Sequence, residues 1–192
     1  MKEIVKRNIK GKKVLILFIL TNSVYAFMLL VSIPKVMVFS DGMKLLDMLP
    51  TGYNAEYVNL LFSKLGEKGR HIYLFDQIPI DMIYPFLFGI SYCLVLAFFL
   101  NKLGKLDSFL IYLCLLPVLA GFFDYLENFG IISMLSNYPE NANLLISTTN
   151  LFTVLKSIFT SIFFVVLIVI MIAVGIQKLL NKDNKDKQVG KI

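Results

Sequence analysis

Four apolar blocks, each long enough to cross a bilayer as a helix, dominate this chain. They run from Val14 to Ile33, from Met82 to Leu100, from Ser108 past two acids to about Leu135, and from Ser157 to Gln177, the last extendable back toward Leu151. A helix rising about 1.5 Å per residue needs about 20 residues to cross ~30 Å of hydrocarbon, and a helix satisfies its own backbone there. The blocks therefore predict an all-α, four-helix transmembrane bundle with spans at about 14–33, 81–100, 108–135 and 151–177. Of the 192 residues 57% are hydrophobic, against roughly 45–50% in soluble domains, and the excess sits in these blocks. The first block is long for a cleaved signal peptide, and Val31-Ser-Ile-Pro-Lys35 has no small-residue cleavage site, so it reads as a true span.

The basic residues set an orientation. Residues 1–13 carry six of them (Lys2, Lys6, Arg7, Lys10, Lys12, Lys13), the turn 101–107 carries Lys102 and Lys105, and the tail 178–192 carries five. The segment 136–147 carries none, and the 35–80 loop has only five over its length. The positive-inside rule then predicts a multi-pass protein of the cell membrane with the basic N-terminus 1–13, the 101–107 turn and the charged tail 178–192 in the cytoplasm. The 35–80 loop faces outside. The net charge of +6 is thus a signature of topology, with the bilayer as the natural partner, and a nucleic-acid partner is not needed to explain it. The low-complexity tail from Asn181 to Gln188 reads as disordered.

The outer loop carries its own pattern. Asn54 is placed to cap a helix from Ala55 to about Leu65, with Gly66 as its stop. Tyr57, Val58, Leu61, Phe62 and Leu65 follow helical spacing, which predicts an amphipathic helix on the outer interface or capping the bundle. A shorter helical piece is expected from Met43 to Met48, before Pro50.

The chemistry-bearing residues gather at one level. Asp124 and Glu127 interrupt the third block, and ionisable groups inside a span point by default to function. At about 100° per residue, Asp124, Glu127, Asn128, Pro117 and Gly121 share one stripe, which predicts that this stripe faces protein. Asp124 lies roughly 24 Å from the start of its span, in the outer half of the membrane. Asp81 opens the second span from that side, followed by Tyr84 and Pro85. Pro85 lacks a donor, which leaves the Asp81 carbonyl free. Asn150, Thr153, Lys156, Ser157 and Thr160 lie at matching depth in the fourth span. A pocket lined by Asp81, Tyr84, Asp124, Glu127, Asn128, Asn150, Thr153 and Lys156 is expected, open to the outside, with Arg70, Tyr73 and the 55–65 helix as its lid. The plainer alternative is a structural ion pair between Lys156 and the two acids, with the Lys156 head reaching toward water.

Other chemistries find little support. Cys93 and Cys114 form no C-x-x-C motif and read as small packing residues, and the lone His71 belongs to no metal-ligating cluster. Neither a cofactor motif nor a metal site is read from the sequence.

The patterns Gly66-x-x-Gly-Arg70-x-x-Tyr73, Asp81-x-x-Tyr-Pro85-x-x-x-Gly89 and Asp124-x-x-Glu-Asn128 resemble those of small four-span bacterial integral membrane proteins of uncharacterised activity. The resemblance covers about residues 51–156 and implies a fold without a named activity.

Three functions fit this reading. The first is a membrane-embedded binding protein whose acidic pocket holds a small cation, an amine or a lipid head group, with Asp124 and Glu127 as the anionic ligands and Asp81 as a gate. Conduction through so few spans would require a homo-oligomer. The second is a lipid-modifying enzyme using Asp124 and Glu127 as acid and base, with Arg70 or Lys156 on a phosphate. The third is a structural or assembly subunit in which the polar residues bind helix to helix.

Overall fold

Apolar helices account for almost all of the architecture. The computed structural model describes the backbone of residues 2–189 and the side chains of residues 2–181. A short helix α1 (Lys2–Asn8) precedes α2 (Gly11–Phe27), which continues through a π-helical turn, Met28–Ser32, into α3 (Ile33–Met37). A 3₁₀ turn, Leu46–Met48, leads to α4 (Ala55–Ile72). A second π-turn, Tyr73–Gln77, and α5 (Ile78–Asp81) then lead to α6 (Tyr84–Lys102). A 3₁₀ stretch, Phe109–Leu115, opens α7 (Leu116–Asn137), and α8 (Asn143–Val189) closes the chain.

Four helical runs are long and apolar enough to cross a membrane: Gly11–Met37, Ala55–Lys102, Phe109–Asn137 and Asn143–Asn181. They have the form of a multi-pass membrane protein. α2 packs on α6, α6 on α7 and α7 on α8, with α6 the innermost of the four. Outward residues such as Leu30, Phe109, Val165 and Val169 are exposed and apolar, the arrangement lipid requires.

α4 forms because Asn54 accepts the amide of Tyr57 at its start and because one face is uniformly apolar. Val58, Leu61 and Phe62 on that face are fully buried, in a core shared with Leu45, Leu46, Ile131 and Met134. Of the two positions open to the amphipathic helix, it therefore takes the cap of the bundle. Gly66 breaks the helix with φ 59°, ψ −176°, a conformation that glycine adopts without cost, and the chain turns helical again beyond it. The first helical segment thus ends at Gly66, as its place in the sequence predicts, and a second segment follows the kink. The expected helix from Met43 is reduced to the turn Leu46–Met48.

At its other end the molecule ties α1 to the 101–107 turn, where Lys6 Nζ stands 2.7 Å from Asp107 Oδ1. The charged tail departs from its expected disorder: α8 runs on to Val189, since extending a helix costs far less than nucleating one. Residues 190–192 of that tail lie outside the described residues.

Close helix approach depends on small residues. A Cβ on Gly121 of α7 would come 2.6 Å from the Pro85 carbonyl oxygen of α6, a backbone atom that cannot swing away. A Cβ on Gly175 of α8 would meet nothing within 4 Å. Gly121→Val should therefore lower the thermal stability of the detergent-purified protein by about 1–3 kcal/mol, the usual cost of overpacking. Gly175→Val should leave the melting temperature nearly unchanged.

Candidate functional site

A polar layer lies between the two apolar cores of the bundle. One core, around Phe88, Leu96 and Phe163, fills the half nearer the termini, and the other, around Phe62, Tyr73 and Met134, joins the α4 cap to the helices. Between them sit Asp81, Asp124, Glu127, Asn128, Thr153 and Lys156. Glu127 and Asn128 are 0% exposed, Asp81 4% and Asp124 7%. The cap deprives these groups of the interfacial water that their position in the sequence suggested.

α7 presents Asp124, Glu127 and Asn128 on one stripe, as their spacing predicts, and α8 answers them. Lys156 forks between the two acids: its ammonium is 3.3 Å from Asp124 Oδ1 and pairs with Glu127 Oε2. It turns inward to do so, and does not extend to water. The Thr153 hydroxyl donates to Glu127 Oε1 at 2.8 Å. The Asp81 carbonyl, left free by Pro85, accepts from Asn128 Nδ2 at 3.4 Å. Among the described residues, Asn128 Oδ1 is buried without a hydrogen-bond partner.

Beside this layer lies a cleft of about 430 Å³. Asp81, Tyr84, Asp124, Lys156, Ser157 and Thr160 line it, all of them expected near the pocket. Glu127, Asn128 and Thr153 stand behind the wall and fix its charged groups. The Asp81 carboxylate faces the cleft and, among the described residues, accepts no hydrogen bond and joins no ion pair.

Three expected participants lie elsewhere. Arg70 donates from Nη1 to the Phe62 carbonyl at 2.7 Å, four residues before the Gly66 break, and its guanidinium lies 4.3 Å from the Tyr138 ring centre. It is held by the interrupted helix it caps and is not part of the cleft lining. Asn150 Oδ1 accepts the Tyr53 amide at 2.7 Å, tying the loop to α8. Tyr73 is buried and reaches the cleft only through Asp47, to whose Oδ1 it donates at 2.9 Å.

Asp47 is the cleft residue that the sequence hides. It lines the cleft from the 3₁₀ turn, with Met48 and Pro50. No periodic pattern marks it; only its place just before the Pro50 turn could have drawn attention. Burial holds its carboxyl above the usual carboxylate range; the Lys156 ammonium pulls it down, and Glu127 adds to the rise. Four carboxylates (Asp47, Asp81, Asp124 and Glu127) thus share the field of one ammonium, Lys156.

The first span contributes a π-turn whose Met28 and Leu29 line the cleft, with Tyr25 one turn before them. Ser32 in that turn donates to Gln77 Oε1 in the second π-turn, so the two irregular segments meet in the interior. Among the described residues no group of three or more His, Cys, Asp or Glu side chains is placed to hold a metal ion. The site places three carboxylates, one ammonium and the Ser157, Thr160 and Ser161 hydroxyls on the wall of a cleft that also has apolar lining from Met28, Leu29, Ile33 and Phe88.

No family model matches the chain, and no curated protein or solved structure is detectably similar to it.

Asp47 gives a pH dependence with a definite sign. A carboxyl whose folded pKa exceeds its unfolded value binds its proton more tightly in the folded state, so stability is present below the unfolded value, near 4, and falls as pH rises through the folded value. Asp47→Asn keeps an oxygen to accept from Tyr73 and removes the ionisation. The melting temperature of the variant should exceed that of the wild type at pH 7, and the gap should close toward pH 4. A gap that stays constant from pH 4 to 8 would rule out Asp47 as its source.

Proposed function

We propose that this chain is a membrane-embedded binding protein whose acidic cleft takes an organic cation, an amine or quaternary ammonium group. The observation that carries this reading is the Asp81 carboxylate: 4% exposed, facing the cleft, and without a protein partner among the described residues. An unpaired buried charge costs several kcal/mol, and a bound cation offsets that cost where no side chain does. Lys156 is already shared between Asp124 and Glu127 and, among the described residues, no cation forms an ion pair with Asp81 or Asp47.

The aromatic wall favours an organic cation over a bare ion. The Tyr25 and Tyr84 rings stack 5.3 Å apart, and both line the cleft beside Asp81. Aromatic faces attract ammonium groups when these are desolvated. The enzyme reading calls for Arg70 or Lys156 to hold a phosphate; Arg70 is engaged elsewhere, and Lys156 is paired with its two acids.

In this reading the basic N-terminus, the 101–107 turn and the tail lie in the cytoplasm, and the cleft faces the outer half of the cell membrane. The Lys6–Asp107 ion pair supports the first part, since it needs the N-terminus and the turn on one side.

The test is equilibrium binding to protein in nanodiscs, with propylamine, tetramethylammonium, propionate and propanol as probes. The cations should bind, and the anion and the neutral alcohol should not. Asp81→Asn, which preserves shape and removes charge, should weaken cation binding at least tenfold while the protein still unfolds cooperatively. Equal binding of cation and alcohol, or a folded Asp81→Asn that binds as well as wild type, would defeat the proposal.

A further inference from the structure

The cleft is built to take its cation from the bilayer. Resting on the binding reading above, we infer that the ligand is a membrane amphiphile with a positively charged amine head, whose head reaches Asp81 through the gap between α2 and α8 while its chain lies in that gap.

The contacts between the spans leave such an entrance. α2 packs on α6, and α8 packs on α7 and, less extensively, on α6, but α2 and α8 have no comparable packing against each other. The bundle is therefore open along one seam. The cleft sits at this seam, since its walls include Tyr25 and Leu29 from the first span and Ser157 and Ser161 from α8. Tyr25 and Leu29 are 42% and 43% exposed although they line the cleft, so the wall they form is also part of the outer surface of the bundle.

The floor of the seam suits a hydrocarbon chain. Tyr84, Phe88 and Tyr92 stand one helical turn apart on α6, with successive ring centres 5.7 and 4.7 Å apart. Tyr84 and Phe88 line the cleft, and Tyr92 carries the ladder away from the acids toward the terminal half of the bundle. Phe18 of α2 and Phe164 of α8 flank Tyr92 at 5.8 and 5.6 Å between ring centres, and both are partly exposed. The path thus begins at carboxylates and continues over an aromatic floor of buried Phe88 and Tyr92, whose flanks, Phe18 and Phe164, are the partly exposed groups. Its polarity matches a ligand charged at one end and apolar along the rest.

The π-turn Met28–Ser32 places an irregular segment of α2 at the mouth of the seam. Such turns interrupt regular packing and recur at functional sites. Ser161 lies exposed on α8 within the same wall, where a residue serving only lipid contact would be apolar.

A photoreactive alkylamine tests this directly. Dodecylamine bearing a diazirine in the middle of its chain would be incorporated into nanodiscs with the wild-type protein, irradiated, and its adducts mapped by peptide sequencing. Labelling should concentrate on residues 18–33 and 157–164, and excess propylamine should reduce it at least tenfold by taking the head site. Asp81→Asn should reduce it similarly, but the competition arm needs no variant and stands if that variant does not fold. Competition without concentration of label in these two segments would overturn the lateral entrance and leave the cation site intact. Label that propylamine does not displace, spread over lipid-facing residues such as Phe109 and Leu144, would overturn both.

Discussion

An imbalance of buried charge organises this molecule. Asp47, Asp81, Asp124 and Glu127 are brought to one level of a helical bundle, and among the described residues Lys156 is the only cation set among them. Such groups survive burial only when they are paired or hydrogen-bonded. Lys156 and Thr153 from α8 satisfy Glu127 and hold Asp124, so α7 and α8 are locked in register by chemistry as well as by packing. The same arrangement leaves the Asp81 carboxylate without a partner among the described residues. One part of the polar layer is therefore held by contacts within the bundle, and the neighbouring part is the one the proposed reading assigns to a cation.

The apolar parts of the chain hold that layer in place. α4 seals it on one side with Val58, Leu61 and Phe62, and the Phe88–Phe163 core seals it on the other. Gly121 lets α7 approach the Pro85 turn of α6, which sets Asp81 beside the α7 stripe. Pro85 frees the Asp81 carbonyl, and Asn128 takes it up. Backbone irregularity thus does positional work at three points around the cleft: at the Pro85 turn and at the two π-turns joined through Ser32 and Gln77.

Much of this was legible in the sequence, for identifiable physical reasons. The four spans follow from the length of uninterrupted apolar runs, and the inward stripe of α7 follows from helical period alone. The Asn54 cap and the Asp81 carbonyl are local stereochemistry, which sequence encodes directly. Asp47 was not legible, because a loop has no period and its role depends on where the cap folds back. Arg70 was misplaced for a related reason. Its partner is the Phe62 carbonyl, freed where Gly66 interrupts the helix, and the sequence does not announce the second helical segment that carries Arg70 back to it. The seam between α2 and α8 depends on which helices pack together, which their nearly uniform apolar surfaces do not specify.

The most direct measurement is native mass spectrometry of the protein ejected from membranes without exchange into detergent. Wild-type protein should carry an adduct whose mass matches an amine-bearing amphiphile, and Asp81→Asn should lose that adduct while keeping ordinary lipid contacts. A wild type that carries no cationic adduct, or one that the Asp81→Asn protein retains in equal amount, would contradict the assignment of this cleft as a cation site.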